Sequence, residues 1–291
     1  ALGAISMKDF MLGRGWNSRP LNWYVNYCCR DDYGAGYEGV SAWAGLHYFA
    51  SRKGFGANAD PNTVLTWPEG NGWLAHRLAE KIPAESVRKN SLVYSIKPWR
   101  GGACVDFLDV ETRETRRIEA RQVIYAAPRF TAGHVIAREF GPLEDAKLEY
   151  APWVVANLTL SAKPAGPGQE ISWDNVSYYS PSLGYIVATH QGLESLMKKT
   201  VITYYLPLSG GAAREQRKLA AQKDHAHWSR LIAGDLEKMH PGISASIENI
   251  DVCVWGHGMP NPGLGYIWGD RRRQMLRPLG PIHFAHAEMS G

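Results

Sequence analysis

The chain has 291 residues, 45% of them apolar and 21% charged, a balance that excludes a disordered polymer and allows one or two globular domains with a sizeable core. Lysine and arginine exceed aspartate and glutamate by 32 − 28 = 4, spread along the chain apart from Arg271-Arg272-Arg273, so no nucleic-acid footprint is indicated. No apolar run approaches the roughly 18 residues of a membrane span, and the opening segment lacks the basic-then-apolar pattern of a secretion leader.

Residues 21–29 form an apolar, aromatic run, and 40–52 read as a helix with Trp43, Leu46, His47 and Phe49 or Ala50 facing inward. A polar loop over 53–62 precedes a turn-rich stretch, 65–72, and a helix over 73–82, with Leu74, Leu78 and Ile82 at helical spacing and Pro83 as its stop. Residues 91–120 read as a three-stranded meander: 91–97, a turn at 99–102, 103–110, a charged turn, then 115–120. The run 122–128 has the continuous apolar character of a strand buried on both faces. It loses bulk at Ala126, Ala127 and Pro128, either to let a ligand approach or because small residues pack tightly there.

A second group of strands begins at 151–162, where Val155, Asn157, Thr159 and Ser161 alternate against Ala156, Leu158 and Leu160. Residues 173–179, 183–189 and 201–206 continue it. One long amphipathic helix is expected between Gly211 and His240, with Leu219, Trp228, Leu231, Ile232, Leu236 and Met239 on one stripe. A strand over 247–255 leads into a Gly/Pro-rich loop, 256–263, and a short apolar strand at Ile282 runs toward Glu288. Strands interleaved with helices give an α/β fold class with α+β character.

Gly34-Ala35-Gly36-Tyr37-Glu38-Gly39 satisfies G-x-G-x-x-G. Its setting argues for a glycine-rich loop beside a substrate cavity over a phosphate cradle. Arg30-Asp31-Asp32-Tyr33 separate it from the apolar run, and two carboxylates oppose a phosphate. Asp31 with Asp32 fits a capping or solvated role better than paired catalysis. His225 and His227 are two apart on a helix and so diverge as metal ligands, while His283 and His286 flank the last strand as packed or hydrogen-bonded imidazoles. Metal: none is expected. The cysteines at 28, 29, 104 and 253 give neither a C-x-x-C clip nor a disulfide framework; as free thiols they lean toward the cytoplasm, with a periplasmic setting also compatible. Thirty glycines, 11 Trp and 14 Tyr suit a protein whose backbone and rings close around a flat ligand.

Three segments in order, Trp67-Pro68-Glu69-Gly70-Asn71-Gly72 ahead of a helix, Val123-Ile124-Tyr125-Ala126-Ala127-Pro128, and Ile282-His283-Phe284-Ala285-His286-Ala287-Glu288, resemble the flavin-containing amine oxidase superfamily. The last of these segments, with Cys28 through Gly34 and residues 40–49, is most similar to the bacterial branch that includes spermidine dehydrogenase-like FAD proteins. The resemblance implies part of an FAD-binding domain (NAD(P)/FAD-binding fold) plus a substrate domain with a mixed sheet and helices. Their expected bounds are 1–59 for the helical part of the substrate domain, 60–145 for part of the FAD-binding domain, 146–279 for the substrate-binding domain and 280–291 for a return to the FAD-binding domain.

It implies FAD as cofactor and a small amine or polyamine substrate oxidised at its C–N bond by hydride transfer to flavin. Val93 would meet the adenine, Ala126, Ala127 and Pro128 would pass close to the dinucleotide, and Glu288 would sit beside the ribityl and phosphate region. The lysine that many relatives place near the flavin would fall near Ala156 or Asn157, making Asn157 a catalytic candidate that orients a water, together with Trp255. Tyr266 and Trp268 are further rings that could flank an amine. The family's opening strand–G-x-G-x-x-G–helix and its closing helix have no counterpart, so the chain reads as a piece of a longer protein, inactive and weak in FAD binding by itself. Two other readings stay open: a non-catalytic small-ligand-binding module, and a flavin-dependent lipid or carotenoid desaturase. The substrate, electron acceptor and oligomeric state are not legible.

Overall fold

A computed structural model describes residues 1–52, 57, 67, 69–143, 148–165, 170–190 and 199–289. The expected loop at 53–62, most of the stretch 65–68 and the expected boundaries at 59/60 and 145/146 lie outside those residues, apart from position 57 and Trp67. Three helices come first, α1 (Met7–Gly13), α2 (Arg19–Tyr33) and α3 (Ala42–Ser51), followed by α4 (Gly72–Ala79). Strands β1 (Ser91–Trp99), β2 (Gly102–Asp109), β3 (Thr115–Ala120) and β4 (Val123–Tyr125) precede α5 (Arg129–Val135). Next come β5 (Tyr150–Leu160), β6 (Asp174–Asn175), β7 (Tyr185–Val187), β8 (Thr200–Pro207), α6 (Ala213–Ala221) and α7 (His225–Met239). Strand β9 (Ile247–Pro260), α8 (Asp270–Met275) and β10 (Ile282–Phe284) complete the order. Helices with mixed sheets give the expected α/β class. The chain divides into two compact units, Ala1–Asn71 with Glu149–Leu264, and Gly72–Leu148 with Gly265–Gly291.

In the first unit an antiparallel sheet runs β6-β7-β8-β5-β9. The period-two pattern of β5 sends Val154, Ala156, Leu158 and Leu160 into a core with Ile202, Tyr204 and Leu206 of β8 and Trp228, Ile232 and Leu236 of α7. At about 25 cal/mol per Å² of apolar area removed from water, this is the unit's main stabilising layer. Helices α1, α2 and α3 close a second cluster around Met7, Met11, Val25, Cys29, Val40 and Ala44.

Four sequence expectations are corrected here. Helix α3 buries Ala44, Gly45 and Tyr48, while His47 is exposed and stacks on Trp43. Packing decides the face: a Cβ on Gly45 would stand 2.6 Å from Met7 Cγ, so the smallest residues turn toward α1. The single helix over 211–240 is two, because Asp224 caps α7 by accepting the His227 N–H at 2.8 Å, and Leu219 of α6 is exposed. The strand expected at 173–179 shrinks to Asp174–Asn175, since the Asn175 side chain exchanges hydrogen bonds with the Ser172 backbone and curls the chain there; its partner β7 is correspondingly short. Finally, the supposed loop at 256–263 is strand as far as Pro260, where Tyr150 pairs with Pro260 and Ala151 with Met259. Gly258 permits this, for a Cβ there would meet Trp153 Cδ1 at 2.8 Å.

In the second unit the meander β1-β2-β3 turns through Arg100 and Gly101, both at positive φ, the geometry of a two-residue hairpin turn. Strands β4 and β10 pair in parallel, Ile282 opposite Val123 and Phe284 opposite Tyr125. Ile282, Tyr125, Ile96, Ala132 and Ile136 form the core beneath them. Other apolar side chains stay open: Ile124 of β4 is 71% exposed, and Leu74, Leu78 and Ile82, on or just after α4, are exposed as well.

Candidate functional site

In the second unit, β4 ends in Ala126 and Ala127, both exposed, before Pro128 caps α5. A buried carboxylate fixes that corner. Glu288, 2% exposed, accepts the Arg129 backbone N–H at 2.5 Å on Oε1 and lies 3.0 Å from His286 Nδ1. Tyr266 OH donates to the Glu288 backbone carbonyl, and Arg129 lies 3.7 Å over the Phe284 ring. Ala126, Ala127, Pro128 and Glu288 are thus assembled at the C-terminal ends of paired parallel strands, the place where α/β sheets receive ligands. Val93 belongs to the meander, exposed at a bulge of β1 and paired with Phe107. Trp268 is exposed, and His283 bonds Gln122.

In the first unit, Asn157 points from β5 to the face opposite the core that holds Ala156. Thr203 Oγ1 donates to its Oδ1 at 2.7 Å. Trp255, 55% exposed, is opposite Trp153, four positions from Asn157 along β5 or about 13 Å by strand rise. The two share a face without touching. Thr203 and Asp251 flank Asn157 in the ladder. Sequence reasoning did not single them out, although the alternation of β8 and β9 places them there.

The G-x-G-x-x-G segment follows a helix and not a strand. Gly34, at φ 63°, ends α2 in the left-handed conformation and bonds back to Arg30. The loop lines a cavity of about 230 Å³. Cys28 and Cys29 are buried on α2, which raises their thiols to about 11 and about 12 and leaves them unreactive.

Beside this loop Asp31 titrates unusually. Burial, then the carboxylates of Asp32 and Asp174, raise it to about 6 against the opposing pull of Arg52, which itself pairs with Asp32 at 2.7 Å. A carboxyl that holds its proton more tightly folded than unfolded opposes folding once ionised, so the stability it contributes below about pH 4 is lost as pH rises through about 6. Asp31→Asn is therefore expected to add about 1–3 kcal/mol at pH of about 8 and nothing below about pH 4, read by urea unfolding at both.

No family model and no curated protein matches the sequence. Among solved structures, a putrescine oxidase triple mutant from a redesign of cofactor binding matches with TM-score 0.71 and 16% identity, over 99% of this chain and 63% of that one. A cyclohexylamine oxidase from Brevibacterium oxydans IH-35A matches with TM-score 0.63 and 15% identity over 99% and 63%. A CLA-producing fatty acid isomerase from P. acnes matches with TM-score 0.61 and 15% identity over 98% and 62%. At such identities the likeness establishes the fold, and this chain spans less than two thirds of each of these proteins.

Proposed function

We propose that this chain carries the substrate-binding part, and a portion of the cofactor-binding part, of an FAD-dependent oxidoreductase that oxidises a small amine at its C–N bond. The fold it shares with putrescine and cyclohexylamine oxidases supports the class. The observation that carries the reading is the 126–128 corner. Two exposed alanines at a parallel strand's end leave room for a dinucleotide, and the buried Glu288 holds the Arg129 N–H so that the corner keeps its shape. FAD, when bound, would supply the acceptor for the electron pair leaving the amine's carbon. Val93, Ala126, Ala127 and Pro128 would lie along it, with Glu288 as a positioning residue. Asn157, its Oδ1 occupied by Thr203, presents its amide N–H groups on the open sheet face to orient a water, and Trp255 offers a ring for an ammonium.

The exposed apolar surface of the second unit supports reading this chain as part of a longer one. Parallel sheets are covered on both faces, yet Ile124 is open, as are the leucines of α4. The chain alone is expected to bind a hydrophobic dye and to lose flavin on purification; a flavin absorbance band that survives would refute that incompleteness. In a longer chain that adds a strand, a G-x-G-x-x-G turn and a helix, flavin should be retained and bleached by amines under anaerobic conditions. A longer chain that holds no flavin would overturn the function. Reduction by prenyl lipids and not by amines would favour the desaturase. In that longer chain Glu288→Gln is expected to weaken FAD about tenfold, measured by flavin fluorescence, because a hydrogen bond to a charged acceptor becomes one to a neutral acceptor.

A further inference from the structure

Helix α2 carries a face that no part of the flavin reading uses. Arg19, Trp23 and Tyr27 recur every four residues and so line up along one side of the helix, while Val25, Cys28 and Cys29 are its buried residues. Beside them, the turn at 177–180 brings up two more rings. Trp23 stacks on Tyr27 with centroids 5.7 Å apart and planes 18° from parallel, meets Tyr178 at 4.9 Å, and Tyr178 meets Tyr179 edge-on at 5.4 Å. Four oxidisable rings are in unbroken contact. They run inward from the surface: Tyr179 is 90% exposed, Tyr178 and Trp23 are half-buried, and Tyr27 packs on the cluster of Ala151, Trp153 and Leu183.

The turn is tied down, which keeps the rings at these spacings. Ser180 and Ser182 donate to Asp235, and the Pro181 carbonyl accepts from Arg30 of α2. Charges then grade the path. Arg19 stands 5.9 Å over the Tyr178 ring and opposes a positive charge there. At the inner end, Tyr27 OH donates to Asp174 Oδ2 at 3.4 Å. Burial first, then the carboxylates of Asp174 and Asp31, push the Tyr27 phenol far above its ordinary range, so it gives up its proton only together with an electron. Asp174 is a suitable acceptor for that proton, because burial raises its own carboxyl above the usual range.

We propose that Tyr179, Tyr178, Trp23 and Tyr27 form a relay that passes single electrons between the surface and Tyr27, with Asp174 taking the phenol proton. A high-potential one-electron oxidant in solution takes an electron from Tyr179, and electrons step outward ring by ring to refill it. Tyr27 ends as a neutral radical. Its O–H bond breaks, an O–H bond forms on the Asp174 carboxylate, and the oxidant is reduced by one electron. A one-electron reductant of the ascorbate class, acting at Tyr179, reverses each step and restores the phenol. The relay lets an oxidant be discharged without lasting loss of a side chain. It lies wholly in the first unit and needs no flavin.

The test is a flash-quench oxidation of the chain with a ruthenium tris-bipyridine photo-oxidant and a cobalt(III) ammine quencher, followed by transient absorption and by electron paramagnetic resonance of frozen samples. A persistent tyrosyl radical is expected. Tyr27→Phe should abolish it. Trp23→Phe, Tyr178→Phe and Tyr179→Phe, which keep a ring in place but raise its oxidation potential, should each cut its yield with thermal melts unchanged. The radical should form more slowly in deuterium oxide than in water, and Asp174→Asn should remove that difference, which a merely structural role for Asp174 would leave intact. Ascorbate should quench the radical faster in the unaltered chain than in Tyr179→Phe. Tyr94→Phe, an exposed ring of the second unit, is the control and should change nothing. A persistent signal that survives Tyr27→Phe, yields that do not fall in Trp23→Phe and Tyr178→Phe, or an equal loss in Tyr94→Phe would overturn the proposal.

Discussion

Gly184→Ala is expected to cost the first unit about 4 kcal/mol and lower its melting temperature by roughly 10 °C, an effect at the extreme of single substitutions. Gly184 sits at φ 80°, where alanine is strained by about 1–2 kcal/mol. The larger part comes from space. A Cβ would lie 1.9 Å from the Asn175 carbonyl oxygen and 2.8 Å from Val176 Cα, both backbone atoms that cannot rotate away. Relief means parting β6 from β7, whose two-residue ladder pairs Asn175 with Tyr185. The Tyr205 N–H, which bonds the Gly184 carbonyl at 3.1 Å, would move too. Gly234→Ala is the matched control: nothing lies within 4 Å of its added methyl inside α7, so it should gain about 0.8–1.0 kcal/mol. Equal melts for the two variants would contradict the account of Gly184.

The second large effect is at Asp235, a buried carboxylate on α7 with no cation within bonding distance among the described residues. Its Oδ2 accepts from Ser180 Oγ at 2.6 Å, Tyr204 OH at 2.8 Å and Ser182 Oγ at 3.1 Å. Asp235→Ala leaves three hydroxyls without their acceptor and opens a cavity, and should cost about 3–5 kcal/mol in urea unfolding. Asp235→Asn keeps one acceptor and should lose less. The revealing variant combines Asp235→Leu with Ser180→Ala, Ser182→Ala and Tyr204→Phe. With donors and acceptor removed together, most of the loss should be recovered. A combined variant as unstable as Asp235→Ala would show that volume, and not unsatisfied polarity, governs the site.

Elements held by near neighbours were legible in the sequence. The meander at 91–120 shows its turn at Arg100-Gly101, and β5 shows its buried face through alternation. Elements decided at long range were not. Gly256 and Gly258 look like loop residues until Tyr150 and Ala151, a hundred positions earlier, are found to pair alongside and Trp153 is seen lying across the strand. The break at Asp224 depends on one side chain turning back onto the His227 N–H, which hydrophobic periodicity does not register. At the site, the corner at Ala126-Ala127-Pro128 announced itself by its loss of bulk. Arg129 did not, because only its backbone N–H is used, and a backbone group leaves no signature in composition.

The bond from Glu288 to Arg129 joins positions 159 apart. At ribosomal speeds of about 5–20 residues per second, roughly 10–30 s separate the birth of the corner from the arrival of the strand and carboxylate that secure it. Throughout that interval the nascent second unit must wait, half-built, while the intervening polypeptide emerges and folds. Its exposed apolar strand is then a natural client for a holding chaperone, and slow translation would lengthen the hazard.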